Sequence, residues 1–331
     1  MKKRFKAVAL FSGGLDSLIS MKLISDQGID VIALHIETGF GGRDAQAKLE
    51  YLYRAVGQVG AELKIVDIKE QFVKEILFDP KYGYGKNFNP CIDCHGNMFR
   101  VAARVMEEMG GDFLISGEVL GQRPMSQRAE ALAQVVKLSQ VDDLILRPMS
   151  AKLMAPTLPE REGWVDREKL LGISGRGRET QIAFAAEHGI KEYESPSGGC
   201  LLTDENFSNK IKDFIENDAF SVRDIEILKF GRHLRLPDGA KLVIGRNHEE
   251  NLKLQEAIYE KYKKIEIGEL KGPYSMINAD ASEADIELAI RLVLTYSRTT
   301  PEESYVIFHE DKEYNLKPFA SKDEAKIYFL K

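Results

Sequence analysis

Residues 5–27 are FKAVALFSGGLDSLISMKLISDQ, which predicts a strand, a loop and a helix in succession. Phe5 to Phe11 is apolar and strand-like, Gly13-Gly14 interrupts it, and apolar residues return at helical spacing from Leu15 to Gln27. Glycines after a buried strand let backbone N–H groups approach an anion, and the positive end of the next helix adds to the attraction. Residues 12–17 therefore indicate a phosphate-binding loop.

The side chains of this loop indicate which kind of phosphate site it forms. Ser12 and Ser17 are expected to donate hydroxyls beside the backbone of Gly13-Gly14. Asp16 would repel a polyphosphate unless a divalent cation lay between them, so we expect it to act through Mg²⁺. The loop lacks the lysine of a Walker loop and the full dinucleotide spacing, so neither site is favoured. The alternative is a glycine-rich turn in which Asp16 only favours the helix N-terminus.

Strand and helix patterns continue to alternate after this loop. Strands are predicted at Asp30–Ile36, Glu62–Ile68 and Phe113–Ser116, and helices at Ala45–Val59, Lys69–Leu77 and Cys91–Met109. This alternation predicts an α/β fold with a doubly wound parallel sheet. Loops that bind ligands follow the carboxyl ends of such strands, so Ser12, Thr38 and Gly117 are expected to face one crevice.

The chain has 331 residues, more than one hydrophobic core usually organises. We expect a first domain over 1–204 and a smaller α+β domain over 205–331. In the second domain, helices are predicted between 206 and 225 and at Glu283–Tyr296, and strands at Lys241–Ile244, Lys264–Ile267 and Ser304–His309.

The composition is that of a globular protein, with 44% hydrophobic and 30% charged residues. No window approaches the roughly 20 uninterrupted apolar residues of a membrane span, so we expect a cytoplasmic protein without a membrane partner. The net charge of −6 argues against indiscriminate nucleic-acid binding, although a local basic face can still dock RNA.

Three cysteines, Cys91, Cys94 and Cys200, are an odd number in a chain without a secretory signal, which disfavours a disulfide framework. The first two form a CxxC at the start of a predicted helix, where a thiolate is stabilised. Cys200 follows the glycine-containing loop 195–199. Their spacing suits an iron–sulfur cluster with three cysteinyl ligands, a zinc site completed by His95, or a redox pair with a resolving thiol, and it leaves open three unrelated buried cysteines.

The motifs resemble the PP-loop ATP pyrophosphatases and two families that thiolate tRNA. Residues 12–17 resemble the SGGxDS signature of the PP-loop ATP pyrophosphatases, which cleave ATP to AMP and pyrophosphate and adenylate a carbonyl oxygen. Gly117–Gln122 with Ser126-Gln127 resembles the GESLGQxxSQ stretch of the 4-thiouridine synthetase PP-loop domain, with Val119 for a serine and a spacer one residue longer. Asn89-Pro90-Cys91 and Gly198-Gly199-Cys200 resemble the cysteine regions of the tRNA 2-thiouridylases.

These resemblances, over about residues 5 to 204, imply a PP-loop fold of the adenine nucleotide alpha hydrolase type and an ATP-dependent tRNA sulfurtransferase. A uridine carbonyl oxygen would be adenylated and replaced by sulfur, giving 4-thiouridine in preference to 2-thiouridine. The implied ATP-binding residues are Ser12, Gly13, Gly14, Asp16, Ser17, Gly117 and Gln122, and the implied catalytic residues are Asp16, Cys91, Cys94 and Cys200.

The implied partners are tRNA and a sulfur donor, either sulfide or a persulfide carrier protein, and the resemblance allows a homodimer. We find no THUMP-like module before the first strand and no rhodanese domain at the end. Some PP-loop thiolases without a rhodanese domain hold a 4Fe-4S cluster on three cysteines, so the resemblance favours Cys91, Cys94 and Cys200 as cluster ligands, with zinc as the alternative.

Two groups of basic residues suggest contacts with phosphate. Residues 231–235 and 245–251 resemble the NFACT type of RNA-binding domain, and four cations of this region either contact RNA phosphates or pair with the many acidic residues nearby: Arg232, Arg235, Lys241 and Arg246. In the first domain, Arg176 and Arg178 either meet an RNA phosphate or ATP, or are solvent-exposed.

Two other functions remain open from sequence. One is a PP-loop ligase that forms an amide or nitrile on a small molecule and holds structural zinc. The other is an RNA-binding protein with an inactive PP-loop, against which the intact Ser12, Asp16 and Ser17 argue.

Overall fold

The computed structural model describes residues 4–42, 45–141, 143–194 and 199–330. Contacts divide the chain into two compact units, one ending at Thr203 and one beginning at Asp204. No helix within these ranges is long and apolar enough to cross a bilayer.

The first unit contains a five-stranded parallel sheet in the order β3-β2-β1-β4-β5. Its strands are β1 Lys6–Leu10, β2 Asp30–Glu37, β3 Glu62–Asp67, β4 Phe113–Ser116 and β5 Ile145–Leu146. Its helices are α1 Leu15–Ser25, α2 Ala45–Gly57, α3 Lys69–Phe72, which continues as a π-helix over Val73–Leu77, α4 Cys91–Glu108, α5 Ala129–Ser139, α6 Leu158–Arg161 and α7 Glu179–Glu187. The predicted α/β class and parallel sheet are confirmed.

Strands β1, β2 and β4 are buried on both faces, as in a doubly wound arrangement, whereas the edge strand β3 is largely exposed. Ala7 and Ala9 of β1 belong to the same core cluster as apolar residues of α1 and α2. Val8 points to the opposite face and is also fully buried, and α4 contacts both β1 and β4. The chain runs from β1 outward to β3 and then returns to place β4 on the other side of β1. The strand order therefore reverses between β1 and β4, where open α/β sheets bind ligands.

The second unit contains a four-stranded antiparallel sheet in the order β6-β7-β9-β8 and a separate hairpin, β10-β11. Its strands are β6 Arg232–Arg235, β7 Lys241–Ile244, β8 Tyr262–Lys264, β9 Ser275–Asn278, β10 Tyr305–His309 and β11 Lys312–Leu316, and its helices are α8 Glu205–Asn217, α9 Asp224–Lys229, α10 His248–Ala257, α11 Glu283–Thr295 and α12 Lys322–Ala325. The apolar face of α11 packs with the sheet in one core cluster. The predicted strand at Lys264–Ile267 was wrong by two to three residues, because the ladder to β9 ends at Lys264.

Candidate active site

The predicted phosphate loop lies at the reversal point of the sheet, between the end of β1 and the start of α1. Gly13 has a φ of +90°, and a Cβ there would lie 2.8 Å from Nζ of Lys48 and 2.9 Å from the ring of Tyr51. Gly14 caps α1 in an extended conformation. Glycine is thus required at position 13 by both backbone conformation and space.

Helix α2 holds this loop from one side. Lys48 Nζ donates to the carbonyl of Ser12 at 2.9 Å, and the Tyr51 hydroxyl donates to the carbonyl of Gly13. Glu194 binds both of these α2 side chains. Its backbone N–H donates to the Tyr51 hydroxyl at 2.9 Å, and its carboxylate pairs with Lys48 at 2.6 Å. The loop is therefore fixed before any nucleotide arrives. Sequence reasoning missed these three residues, and the only local signal was the spacing of Lys48 and Tyr51 on one helix face.

The two serines of the loop are satisfied within it. Ser12 Oγ accepts from the N–H of Gly14 at 3.3 Å, and Ser17 Oγ donates to the carbonyl of Gly14 at 2.7 Å. The Ser12 hydroxyl keeps its donor for a phosphate oxygen, whereas Ser17 uses its single donor on the Gly14 carbonyl and would have to release it to bind a phosphate. Their predicted role as phosphate ligands stays a prediction.

Gly117, directly after β4, lies against the first turn of α1. A Cβ at this position would come within 2.6 Å of the backbone nitrogen of Ser17 and 2.8 Å of the backbone carbon of Asp16. One turn further on, Ser20 Oγ donates to the carbonyl of Ser116 at 3.3 Å. The absence of a side chain at Gly117 thus lets the second motif approach the phosphate loop, as the sequence predicted for the carboxyl ends of β1 and β4.

Asp16 is the point at which three distant segments meet. Its Oδ2 accepts from Gln122 Nε2 at 2.6 Å and from Arg178 Nη2 at 2.8 Å. The turn that carries Arg178 is held nearby, because Gly175 N–H donates to the carbonyl of Leu120 at 2.8 Å. Arg178 therefore lies beside the candidate site, as one of the two alternatives for this turn predicted. The side chain of Arg176 is exposed, as the other alternative predicted.

The other oxygen of Asp16 suits a metal ion. Oδ1 is buried and has no hydrogen-bond partner among the described residues, although a buried carboxylate oxygen without a partner is costly. Mg²⁺ is usually held by one or two carboxylates together with substrate phosphates and water. The predicted magnesium link through Asp16 fits this orphaned oxygen.

Glu118 connects the Gly117 loop to the helix of the CxxC motif. It is buried, and its carboxylate accepts from His95 Nδ1 at 2.8 Å and from Arg147 Nε at 2.9 Å. Burial by itself would raise the pKa of Glu118, but the charge of Arg147 and the bond from His95 outweigh it and lower the pKa to about 2. Glu118 is therefore ionised and locks His95, the residue after Cys94, to the loop that touches Asp16. The sequence analysis did not select Glu118 or Arg147.

Cys91 and Cys94 lie one turn apart on α4, and the segment after Cys200 is held near the start of this helix by Asn87, whose Nδ2 donates to the carbonyl of Thr203 at 2.6 Å. Cys91 begins α4, and Asn89 Nδ2 donates to its sulfur at 3.1 Å. The segment after Cys200 is fastened by the Leu201 N–H, which donates to the carbonyl of Phe40 at 2.9 Å. The glycine-containing stretch 195–198, which the sequence analysis singled out, lies outside the described residues.

The pKa values of the thiols show that they affect one another. The pKa of Cys94 is raised mainly by burial of its thiol. The charges of Cys200 and Cys91 raise it further. Burial of the thiol is the main cause that raises the pKa of Cys200 to about 11, and the charge of Cys91 raises it further. Cys200 as a whole residue is nevertheless exposed. With their pKa values raised, Cys94 and Cys200 are neutral thiols at pH 7.

Within the described ranges, no three His, Cys, Asp or Glu side chains are arranged to hold a metal ion. A zinc site completed by His95 would also have to use Nε2, because Nδ1 bonds Glu118. Three neighbouring thiols are nevertheless the right kind of donor for an iron–sulfur cluster.

In the second unit, three of the four predicted phosphate contacts are paired internally. Arg235 and Lys241 bind Asp213 at 2.7 and 2.6 Å, and Arg246 pairs with Glu250. Burial lowers the pKa of Lys241 to about 8 against the opposing charge of Asp213. The alternative reading, that these cations pair with acidic residues, is correct for them.

Two family models match the chain. Residues 3–152 match the model described as thiamine biosynthesis protein (ThiI). Residues 231–328 match the NFACT protein RNA binding domain.

Curated relatives are tRNA-modifying proteins by name. A "Probable tRNA sulfurtransferase" of Thermococcus kodakarensis is 28% identical over 190 residues, which cover 56% of this chain and 46% of that protein. A "tRNA-specific 2-thiouridylase MnmA" of Desulfosudis oleivorans is 31% identical, covering 33% of this chain and 30% of that protein. Its namesake in Listeria monocytogenes is 20% identical, covering 73% and 64%. The chain thus spans about half or less of the length of the first two relatives.

Among solved structures, one described as a 4-thiouridine synthetase–RNA complex with bound ATP is 21% identical, with a TM-score of 0.39, and covers 68% of this chain and 52% of its own. The two family models together account for most of the sequence, and each falls within a different compact unit. The loop 12–17, the Gly117 motif and the CxxC all lie between residues 3 and 152, the part of the chain that is similar to the ThiI model, and residues 231–328 of the second unit are similar to the NFACT RNA-binding model.

Proposed function

We propose that this protein is an ATP-dependent tRNA sulfurtransferase that adenylates a uridine carbonyl oxygen and then replaces it with sulfur. The observation that carries the proposal is the chain of contacts through Gly117 and Glu118. Gly117 packs on the backbone of Asp16 and Ser17, and Glu118 bonds His95, next to Cys94. The phosphate loop and the thiols are therefore joined by two consecutive residues.

In the first step, the phosphate loop binds and orients ATP. The Gly13 N–H, the Ser12 hydroxyl and the N-terminus of α1 would face the phosphates, while the Gly14 N–H and the Ser17 hydroxyl would exchange their bonds within the loop for bonds to phosphate. When bound at Asp16 Oδ1, magnesium would neutralise charge on the leaving pyrophosphate. The uridine carbonyl oxygen attacks the α-phosphate, a bond to the β-phosphate oxygen breaks, and pyrophosphate leaves.

In the second step, sulfur attacks the activated carbon of uridine, and AMP departs with the former carbonyl oxygen. We assign this step to Cys91, Cys94 and Cys200. A 4Fe-4S cluster held by these three cysteines would supply an iron site for sulfide. In the alternative, a carrier persulfide would pass its outer sulfur to one of the thiols and leave as a thiol, and that sulfur would attack the uridine carbon. A second of the three thiols would then attack the cysteine sulfur of the S–S bond, which releases thiouridine and leaves a disulfide that an external thiol reduces. Because enzymes that act on one base need it unstacked, the second unit would hold the tRNA while the base enters.

The favoured product is 4-thiouridine, with 2-thiouridine as the second choice, and we place the reaction in the cytoplasm. We keep the boundary of the two functions at residue 204, with the thiolation domain before it and the RNA-binding domain after it. A homodimer stays a prediction. The small-molecule ligase and the inactive RNA-binding protein are not favoured, because the matching relatives are tRNA sulfurtransferases and 2-thiouridylases by name.

Substitution of one residue from each half of the site tests the proposal. Asp16→Ala should abolish tRNA-dependent pyrophosphate release, whereas Cys200→Ala should retain pyrophosphate release and lose thiouridine, measured by mass spectrometry of tRNA nucleosides. Cys200→Ser is the conservative control and should behave as Cys200→Ala. Equal loss of pyrophosphate release in the Asp16 and Cys200 variants would contradict the division of roles.

Iron analysis of anaerobically purified protein tests the cluster separately. A brown protein with broad absorption that loses its iron in Cys91→Ala supports the cluster. A colourless, iron-free preparation that still forms thiouridine would rule out the cluster and leave the persulfide route.

A further inference from the structure

The cations of the second unit fall into two groups. Many pair with a carboxylate, including the predicted phosphate contacts Arg235, Lys241 and Arg246. For six other cations, no carboxylate partner is found among the described residues. These six come from segments that meet at the C-terminal half of α11: Arg232, Lys271, Arg291, Arg298, Lys317 and Lys322. Lys212 of α8 also lacks such a partner. We call the six residues the α11 basic surface.

Local contacts bring these segments together. Arg232 and Lys322 both face the ring of Tyr296, with the Arg232 guanidinium carbon 4.9 Å and the Lys322 nitrogen 5.6 Å from its centroid. One turn earlier, the guanidinium carbon of Arg291 lies 4.3 Å from the ring centroid of Phe319.

Backbone contacts add the remaining cations. Arg291 Nε donates to the carbonyl of Lys317 at 3.3 Å, and the N–H of Arg298 donates to the carbonyl of Lys271 at 2.8 Å. The nearest acidic residue on α12, Asp323, is paired with Lys326 at 2.6 Å. None of the six cations forms a salt bridge among the described residues, although the protein carries a net charge of −6.

The chemistry of this surface suits a polyanion. An aromatic ring attracts a cation without neutralising it, so Tyr296 and Phe319 restrain Arg232 and Arg291 while leaving their charge available. The side chains of Lys271, Arg298, Lys317 and Lys322 are exposed. A row of uncompensated lysines and arginines binds nucleic acid by replacing the counterions of its phosphates.

We propose that the α11 basic surface binds the phosphate backbone of the tRNA. This inference rests on the proposed function for the identity of the RNA. Phosphate contacts fix the position of the RNA without reading its sequence, so the surface would hold the tRNA while the first unit selects the uridine.

The test compares two triple variants of the full chain that remove the same charge. The first is Lys271→Gln, Arg298→Gln and Lys322→Gln. The matched control is Arg223→Gln, Lys253→Gln and Lys312→Gln, which removes three exposed cations of the same unit that each pair with a carboxylate. Binding of fluorescently labelled tRNA is measured by anisotropy over a range of salt concentrations, and thermal unfolding verifies that both variants fold.

The first triple variant should lower the slope of log affinity against log salt by about 2 to 3 and weaken binding on the order of tenfold or more, because three phosphate contacts are lost. The control should change both quantities much less. Equal losses in the two variants, or no loss in the first, would overturn the proposal.

Failure of the surface and failure of the function can be told apart. If the wild type forms thiouridine while both triple variants bind tRNA alike, the surface is wrong and the proposed function stands. If binding depends on the surface but no thiouridine forms, the surface stands and the proposed function fails.

Discussion

Asp16 and Arg178 are 162 residues apart in the chain, and their side chains meet at 2.8 Å in the first unit. The two groups are both largely shielded from solvent, with 14% and 18% of their side chains exposed. A phosphate that enters this position meets a guanidinium, which compensates for the carboxylate beside it. In the proposed ATP site, the Arg178 guanidinium would offset the charge of Asp16, in addition to the magnesium ion proposed at its other oxygen.

Arg178→Gln should weaken ATP binding by about 10- to 100-fold, which corresponds to the loss of one charge-assisted hydrogen bond of roughly 1.5 to 3 kcal/mol. The measurement is calorimetric titration with a non-hydrolysable ATP analogue. Arg176→Gln is the control, since this exposed arginine in the same turn should bind ATP as the wild type does. Equal affinity in both variants would show that Arg178 does not act at the nucleotide site.

Tyr51→Phe should loosen the phosphate loop without changing its charges. The variant loses the donor to the Gly13 carbonyl and the acceptor for the Glu194 N–H, which should cost about 1 kcal/mol of unfolding free energy and lower ATP affinity several-fold. Chemical denaturation and ATP titration measure the two effects. Tyr53→Phe, on the same helix but 59% exposed, should leave both values unchanged, and an identical response of the two variants would argue against the tether.

Gly117→Ala should displace the loop that follows β4. The new Cβ would press on the backbone of Asp16 and Ser17 at 2.8 and 2.6 Å, and because backbone cannot rotate away, overpacking of about 1 to 3 kcal/mol is expected. Thermal unfolding with and without ATP should show a lower Tm and a smaller stabilisation by ATP. Gly57→Ala meets nothing within 4 Å and is the control. Normal ATP stabilisation in Gly117→Ala would contradict the close approach.

Glu118→Gln should destabilise the protein by about 3 kcal/mol at pH 7, because it leaves buried Arg147 without a counter-charge. The pKa of Glu118 is lowered in the folded state from 4.5 to about 2. A depressed pKa contributes stability above about pH 4.5 that is lost as the pH falls toward 2. The difference in unfolding free energy between wild type and variant should therefore be constant from pH 7 to 5 and shrink below pH 4.5.

Urea denaturation between pH 7 and 3 measures this difference. Glu187→Gln changes an exposed residue on α7 and should show no pH-dependent difference. A gap between wild type and Glu118→Gln that stays constant down to pH 3 would mean that Glu118 is not held ionised by Arg147 and His95.

Most strands of the first unit were predictable because they are buried on both faces and therefore form continuous apolar runs. Phe113–Ser116 was predicted with its observed bounds, and β1 to β3 within one residue at either end. The two-residue strand β5 and helix α5 were missed. In the second unit, strand β6 was not predicted because its sequence, Arg-His-Leu-Arg, is mostly polar. Arg235 is accommodated in this strand because Asp213 and Asp218 neutralise its charge.

The sequence by itself determined the phosphate loop and the CxxC at the start of a helix, since glycine conformation, helix ends and apolar periodicity depend on neighbouring residues. Only the tertiary structure decided which side chains meet at Asp16, that Glu118 joins the loop to His95, and which cations of the second unit are already neutralised. Each of these depends on segments far apart in sequence. A charged residue has the same local pattern whether it pairs internally or stays available for a ligand, and only the packing of distant loops and helices distinguishes the two.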